Sequence, residues 1–384
     1  MNSVLLVLSA LAIQAGQAPV EQPAQAIAAP RDVSALLEPI RAKHDVPGLV
    51  AALVSHGKIE ALGAAGVRRR GGEERVTVDD RFHLGSCTKA MTATLCAILV
   101  DRGELAWDAR VTDGLADDAA KARPAWKEVR LAHVLTNRGG APAELDANGL
   151  WSRLFASKES PLEQRHVLAR GVFAAEPVAA PGEKYVYSNA GFSLAGAMAE
   201  RAAKLDYEAL MRRELFTPLG MESAGFGPPG AGGAKSKAGQ PWGHTAEGKP
   251  VAPDAHGADN PAAIAPAGRV HCTIADWAKF ATLHLDARNG KPRLASAQSF
   301  ARLHEPAEGP GERYAMGWLV AERPWAGGTV LTHSGSNTMW FAVIWLAPQK
   351  DFALLACANQ GGDGAQRACD EVAGLLIEAH LTAK

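Results

Sequence analysis

Apolar positions recur with two different periods in this chain, and each period has its own territory. Near the start, the short apolar runs 49–54 and 59–66 flank Ser55-His56-Gly57-Lys58, a spacing that predicts two antiparallel strands joined by a tight turn. Late in the chain, the runs 314–320, 340–346 and 352–357 predict three more strands, with Ala347-Pro348-Gln349-Lys350-Asp351 turning the last pair back on itself. Helical spacing marks 32–44, 190–203 and 365–381. It also marks the stretch after Ser86, where Met91, Leu95, Ile98 and Leu99 form an apolar set and Gly103 is a stop signal. Early and late strands can therefore join in one antiparallel sheet flanked by helices, an α/β (α+β) fold. Residues 32–105 and 268–384 are expected to form this α/β domain. The helix- and loop-rich 106–267 is expected to be an inserted, mostly helical domain, with a pocket between the two. Residues 227–239 and 248–266 read as long surface loops that shape the entrance.

Composition narrows the function classes. With 384 residues, 47% of them hydrophobic, and a formal net charge of -1, the chain can bury a large core and lacks the basic signature of a nucleic-acid binder. It has no HExxH, no close histidine pair, no phosphate-binding glycine loop and no dinucleotide fingerprint, so neither a metal nor a cofactor is expected. The apolar run 4–13 is too short to span a bilayer, and Gly16-Gln17-Ala18 follows it with small residues. That pattern predicts a signal peptide over 1–18, a Pro/Ala/Gln linker over 19–31 and export to the periplasm or beyond, with no membrane span. Five cysteines cannot all pair internally, and most are expected to be buried free thiols.

The candidate chemistry lies in three segments. A serine hydroxyl is a poor nucleophile until a base stands within hydrogen-bond reach. In Ser86-Cys87-Thr88-Lys89 the serine and the amine are three residues apart on one helical face, with Ser86 at the helix N-terminus where developing negative charge is favoured. A Ser-x-x-Lys match by itself is weak, and Ser55-His56-Gly57-Lys58 is a decoy copy placed in a turn. Tyr187-Ser188-Asn189 is scarcer and adds a phenol and an amide. Near the C-terminus, Thr332-His333-Ser334-Gly335-Ser336 leads into a strand whose small residues let a substrate backbone approach, and a backbone N–H there could join that of Ser86 in an oxyanion hole.

Phe82-His83-Leu84-Gly85-Ser86-Cys87-Thr88-Lys89, Leu131-Ala132-His133-Val134-Leu135-Thr136 and Pro181-Gly182-Glu183-Lys184-Tyr185-Val186-Tyr187-Ser188-Asn189 occur in this order. Weaker matches at Leu215-Phe216-Thr217-Pro218-Leu219-Gly220-Met221 and Ala267-Gly268-Arg269-Val270 support them. Together they resemble the serine penicillin-recognising enzymes of the class C β-lactamase, D,D-peptidase and esterase type, over most of the chain. The resemblance implies a β-lactamase/transpeptidase-like fold and a serine hydrolase working through an acyl-serine on a small ester, amide or D-amino-acid peptide. A β-lactamase, or a penicillin-binding module without turnover, is the alternative. It further implies Ser86 as nucleophile, with Lys89 and Tyr187 sharing general-base and general-acid work as a coupled pair in which an ammonium favours a phenolate. Asn189 would orient Lys89 and the substrate amide, and the N–H groups of Ser86 and Ser336 would form the oxyanion hole. His333, Ser334, Gly335 and Ser336 would line the substrate.

Two departures stand out. Many β-lactamases of this type carry Lys-Thr-Gly where this chain has His333-Ser334-Gly335; histidine titrates near neutrality, so a substrate carboxylate would be held less firmly as pH rises. Asn137-Arg138-Gly139-Gly140 replaces the more usual His-Thr-Ser-Gly. Simpler readings accompany the catalytic ones. Ser188 or Asn189 can cap the helix that follows, His333 can be a core histidine, Cys87 is turned off the Ser86 face, and Gly191-Phe192-Ser193-Leu194-Ala195 lies inside a helix rather than at a nucleophile elbow.

Overall fold

The computed structural model describes residues 29–146, 149–231 and 239–382, so the expected signal peptide and most of the linker lie outside the described residues. Twelve strands are described: β1 (Arg31–Asp32), β2 (Gly48–Ser55), β3 (Lys58–Gly66), β4 (Arg81–His83), β5 (Gly225–Phe226), β6 (Gly243–His244), β7 (Pro250–Val251), β8 (Val270–Thr273), β9 (Leu319–Arg323), β10 (Gly328–Ser336), β11 (Phe341–Ala347) and β12 (Phe352–Ala358). Seven form the large sheet in the order β1-β3-β2-β12-β11-β10-β9, antiparallel throughout except for β1 beside β3. β4-β8-β5 make a small second sheet and β6-β7 a hairpin.

Strands β2 and β12 are buried at every position, and their sequences GLVAALVS and FALLACA are continuously apolar rather than alternating. Such strands need cover on both faces. Leu49, Ala51 and Leu53 of β2 pack with Leu354 and Ala356 of β12 against the helices Ser34–Lys43 and Gly362–Thr382, where Leu37, Ile40, Cys369, Val372 and Leu376 meet them. Val50, Ala52, Leu355 and Cys357 point the other way, into a core shared with Leu95 and Ile98 of helix Thr88–Asp101 and Trp277 and Phe280 of helix Ile274–Arg288. Helix Thr88–Asp101 is buried from Thr88 to Leu99, all the way round, which makes it a core element rather than an amphipathic surface helix. Its threonine hydroxyls are satisfied inside: Thr88 accepts from the Val270 N–H at 3.1 Å, Thr92 donates to the Pro266 carbonyl at 2.6 Å, and Thr94 donates to the Ala90 carbonyl at 2.9 Å.

Two expectations need correcting. The strand expected over 314–320 starts only at Leu319, because Gly317 (φ +85°) turns the chain against helix Thr88–Asp101, and a Cβ there would stand 2.5 Å from the Ala90 backbone. Tyr314 keeps an isolated bridge to Leu319. Residues 248–266 are not simply a surface loop, since they contain β7 and the turn Ala262–Ile264, whose Ala263 and Ile264 are buried. Residues 227–239 fall partly outside the described residues. All five cysteines are free and buried. Among the described residues, no helix is long and apolar enough to cross a membrane.

The middle helices are pinned by a buried ion triad. Arg165, on helix Pro161–Ala174, reaches Glu200 through Nε at 2.8 Å and Nη2 at 2.5 Å, and Glu208 through Nη1 at 2.9 Å and Nη2 at 2.8 Å. The Glu200 carboxylate also accepts from the Tyr207 N–H at 2.8 Å. Removing the cation would leave Glu200 buried without its partner. Arg165→Met is therefore expected to lower the unfolding free energy by about 3–5 kcal/mol in a urea titration, whereas a variant as stable as wild type would show that the triad contributes nothing.

Candidate active site

Ser86 stands in a short 3-10 turn, Gly85–Cys87, that feeds directly into helix Thr88–Asp101. Placed one turn further on, Lys89 is fully buried and directs its Nζ to three oxygens: Ser86 Oγ at 3.0 Å, Asn189 Oδ1 at 2.7 Å and the Ala267 carbonyl at 2.9 Å. Burial lowers the Lys89 pKa from its usual value near 10.5 to about 7. A neutral amine has two N–H groups and one lone pair. The Asn189 and Ala267 oxygens can only accept, so they take both N–H groups and leave the lone pair for the Ser86 hydroxyl.

Tyr187 lies with its ring face 4.6 Å from Lys89 Nζ. Burial pushes its phenol well above the ordinary tyrosine range, and hydrogen bonding with Ser86 offsets this only in part. Burial penalises the charge on each, moving the amine and the phenol both towards their neutral forms. Ser188 caps helix Asn189–Ala203, accepting from the Gly191 N–H at 3.2 Å. With that duty taken by Ser188, the Asn189 side chain is left to Lys89.

The substituted loop has a definite structure. Asn137 is buried at φ +57°, a left-handed conformation asparagine tolerates. Its carbonyl accepts from the Val186 N–H at 2.8 Å and its Oδ1 from the Ser188 N–H at 3.1 Å, so it clamps the tyrosine segment on both sides of Tyr187.

β10 supplies the opposite wall. β9 pairs with it only over Gly328–Thr332, so no strand among the described residues covers that edge of His333 to Ser336. There the backbone meets the Ser86 turn through glycines. A Cβ on Gly335 would fall 2.1 Å from the Leu84 carbonyl and 2.5 Å from the Ser86 nitrogen, and one on Gly85 (φ +49°) would fall 2.3 Å from the Ser336 nitrogen. Ser334 and Ser336 are exposed, whereas His333 and Gly335 alternate with them inward. His333 Nδ1 faces the Ser334 carbonyl at 2.5 Å and must donate to it, so Nε2, 3.1 Å from the Tyr314 hydroxyl, accepts. Burial, reinforced by the charge of Lys89, lowers the His333 pKa to about 3. The expectation that His333 titrates near neutrality is corrected on that ground. Cys87 Sγ is directed at the carbonyls of His333 (3.5 Å) and Ala342 (3.9 Å), away from a reactive position, and burial pushes its thiol pKa up.

The family profile described as "Beta-lactamase" matches residues 33–377. The chain belongs to the Beta-lactamase family. Among its relatives, "Penicillin-binding protein 4" of Amycolatopsis lactamdurans is 29% identical over 340 residues, which span 84% of this chain and 83% of that protein. "Unguisins hydrolase ungD'" of Aspergillus campestris is 26% identical over 298 residues, 74% of this chain and 53% of that one. The solved structure of an octameric penicillin-binding protein homologue from Pyrococcus abyssi shares the fold, with a TM-score of 0.71 at 23% identity, covering 88% of this chain and 75% of that one. As a member of the Beta-lactamase family the protein is a serine hydrolase that works through an acyl-serine intermediate.

Sequence reasoning missed several residues around this family site. Ala267 stands in a segment already noted as a match, but its part is played by a carbonyl, which no side-chain pattern reveals. Tyr314 lay in what read as a strand, and Asn137 was noted only as a departure.

If Lys89 accepts the Ser86 proton it must do so as an amine, and kcat/KM for an activated ester is then expected to rise with pH through about 7 and level off, with no separate limb from His333. Lys89→Arg, which stays protonated, is expected to remove that rise together with nearly all activity, and a pH profile unchanged in this variant would exclude Lys89 as the base. Gly335→Ala is expected to lose about 1–3 kcal/mol of stability by overpacking, measured by urea unfolding, and to slow acylation.

Proposed function

We propose that Ser86 is the acylated residue and that the substrate is a small ester, amide or D-amino-acid peptide. The single observation that supports this most is the Lys89 amine, whose two hydrogens are taken by Asn189 and Ala267 while its lone pair is left to Ser86. In this reading the Ser86 proton moves to Lys89 Nζ as Oγ attacks the carbonyl carbon. The negative oxygen that forms lies between the N–H groups of Ser86 and Ser336. Collapse expels the leaving group, which takes a proton from the Lys89–Tyr187 pair, and acyl-Ser86 remains. Water then attacks and gives its proton to the same pair, which hands it to Ser86 Oγ as the acyl bond breaks, releasing the acid and free Ser86.

A neutral, internally bonded His333 favours esterase or peptidase action over efficient β-lactam hydrolysis, because it offers no cation to a substrate carboxylate. The exposed hydroxyls of Ser334 and Ser336 and the strand edge that carries them suit a substrate backbone. A second reading, a penicillin-reactive protein with slow turnover, is favoured by the relative named Penicillin-binding protein 4. The apolar run 4–13 with Gly16-Gln17-Ala18 supports export, and protein recovered outside the cytoplasm is expected to have lost Met1 by intact mass.

Labelling with a fluorophosphonate and with a fluorescent penicillin tests the chemistry. Both are expected to modify Ser86 and to fail with Ser86→Ala. A penicillin adduct that persists for hours would favour the slow-turnover reading, and equal labelling of Ser86→Ala would remove Ser86 from the mechanism.

A further inference from the structure

One buried carboxylate outside the residues above is hydrogen-bonded to a residue beside each half of the proposed oxyanion hole. The Asp259 side chain is 3% exposed and receives four hydrogen bonds. His83 Nε2 reaches Oδ2 at 3.1 Å and Arg269 Nε reaches the same oxygen at 3.0 Å. Asn337 Nδ2 reaches Oδ1 at 2.9 Å, as does the Asn260 backbone N–H at 2.8 Å. Burial alone would raise its pKa, but His83, Arg269 and Asn337 together hold it well below the usual carboxylate range, so it is a fixed anion.

Each of two arms leads to a reacting backbone. His83 Nδ1 accepts the Gly85 N–H at 3.1 Å, which puts the ring proton on Nε2, facing Asp259, and fixes the Leu84–Gly85 peptide, the unit next to the one that carries the Ser86 N–H. Asn337 directly follows Ser336 and is itself 2% exposed, with its Oδ1 accepting from the Met339 N–H at 3.2 Å. The two arms come from β4 and from the end of β10, segments that touch through Gly85 and Gly335 without a side chain between them.

We infer that Asp259 is a positioning residue that sets the separation of the Ser86 and Ser336 N–H groups, through His83 on one side and Asn337 on the other. This rests on the reading of Ser86 as nucleophile. Asp259 touches no reacting atom itself. Its effect is on where the developing oxyanion finds its two donors, and a displacement of about 1 Å there costs on the order of a hundredfold in rate.

Asp259→Asn is the first variant. An asparagine must turn its NH2 towards either the His83 and Arg269 donors or the Asn337 and Asn260 donors, so one arm is broken whichever way it lies. The second-order rate of fluorophosphonate labelling at Ser86 is expected to fall about a hundredfold. Affinity for a simple arylboronic acid, whose serine adduct is tetrahedral, should fall in parallel when both are measured per folded molecule. A role in stability alone would lower the melting temperature and leave both values intact for the folded fraction. Asn337→Ala breaks only the Ser336 arm and serves where Asp259→Asn does not fold; the same parallel loss is expected, at smaller size. Wild-type labelling rate and boronate affinity in the folded variant would overturn the role of Asp259 alone. A wild-type protein that is never labelled at Ser86 would overturn the nucleophile assignment beneath it.

Discussion

An amine shut away from water must be given its hydrogen-bond partners by the chain, and the elements around Lys89 are arranged by that requirement. Leaving an ammonium buried costs several kcal/mol even after relaxation, so the group is driven towards its neutral form. What it then needs is two acceptors from parts of the chain far apart in sequence. Asn189 begins one helix, capped by its neighbour Ser188. Ala267 lies in the short helix Ala265–Gly268, which approaches that same helix so closely that a Cβ on Gly196 would stand 2.2 Å from Pro266. Packing the middle of the chain therefore also supplies both acceptors of the Lys89 amine.

The other wall is governed by space rather than charge. Gly85 and Gly335 let two backbones pass where side chains would collide, so β10 reaches the Ser86 turn with its own amides. β9 ends its pairing at Thr332, and the uncovered edge begins at the next residue. The protein keeps serine hydroxyls on the open side of this edge and places His333, already bonded at both nitrogens, behind it.

Much of this was legible in the sequence where a local rule sufficed. Apolar runs located β2, β3, β11 and β12, helical spacing located the helices on either face, and Ser86, Lys89, Tyr187 and Asn189 were visible as ordered motifs. The decoy at Ser55 and Lys58 is a hairpin, with these two residues paired across the turn. The failures were of a different kind. β9 started late because Gly317 packs on a helix more than two hundred residues earlier, a tertiary contact with no periodic trace. His333 was given an ordinary titration because burial and Tyr314 cannot be read from its neighbours in sequence. Asp259 sat in what read as a loop, and its partners at 83, 269 and 337 come together only in the fold. Side-chain types were readable; their solvation was not.

The register that sets Leu49 of β2 opposite Ala358 of β12 ties the two ends of the chain into the centre of one sheet. Contacts of such long sequence separation form late, after most of the loop-closure entropy has been met. A nascent chain thus carries its serine, its lysine and its tyrosine for most of synthesis without the strand that completes their surroundings. Their folded surroundings are complete only once the C-terminal strands have been made.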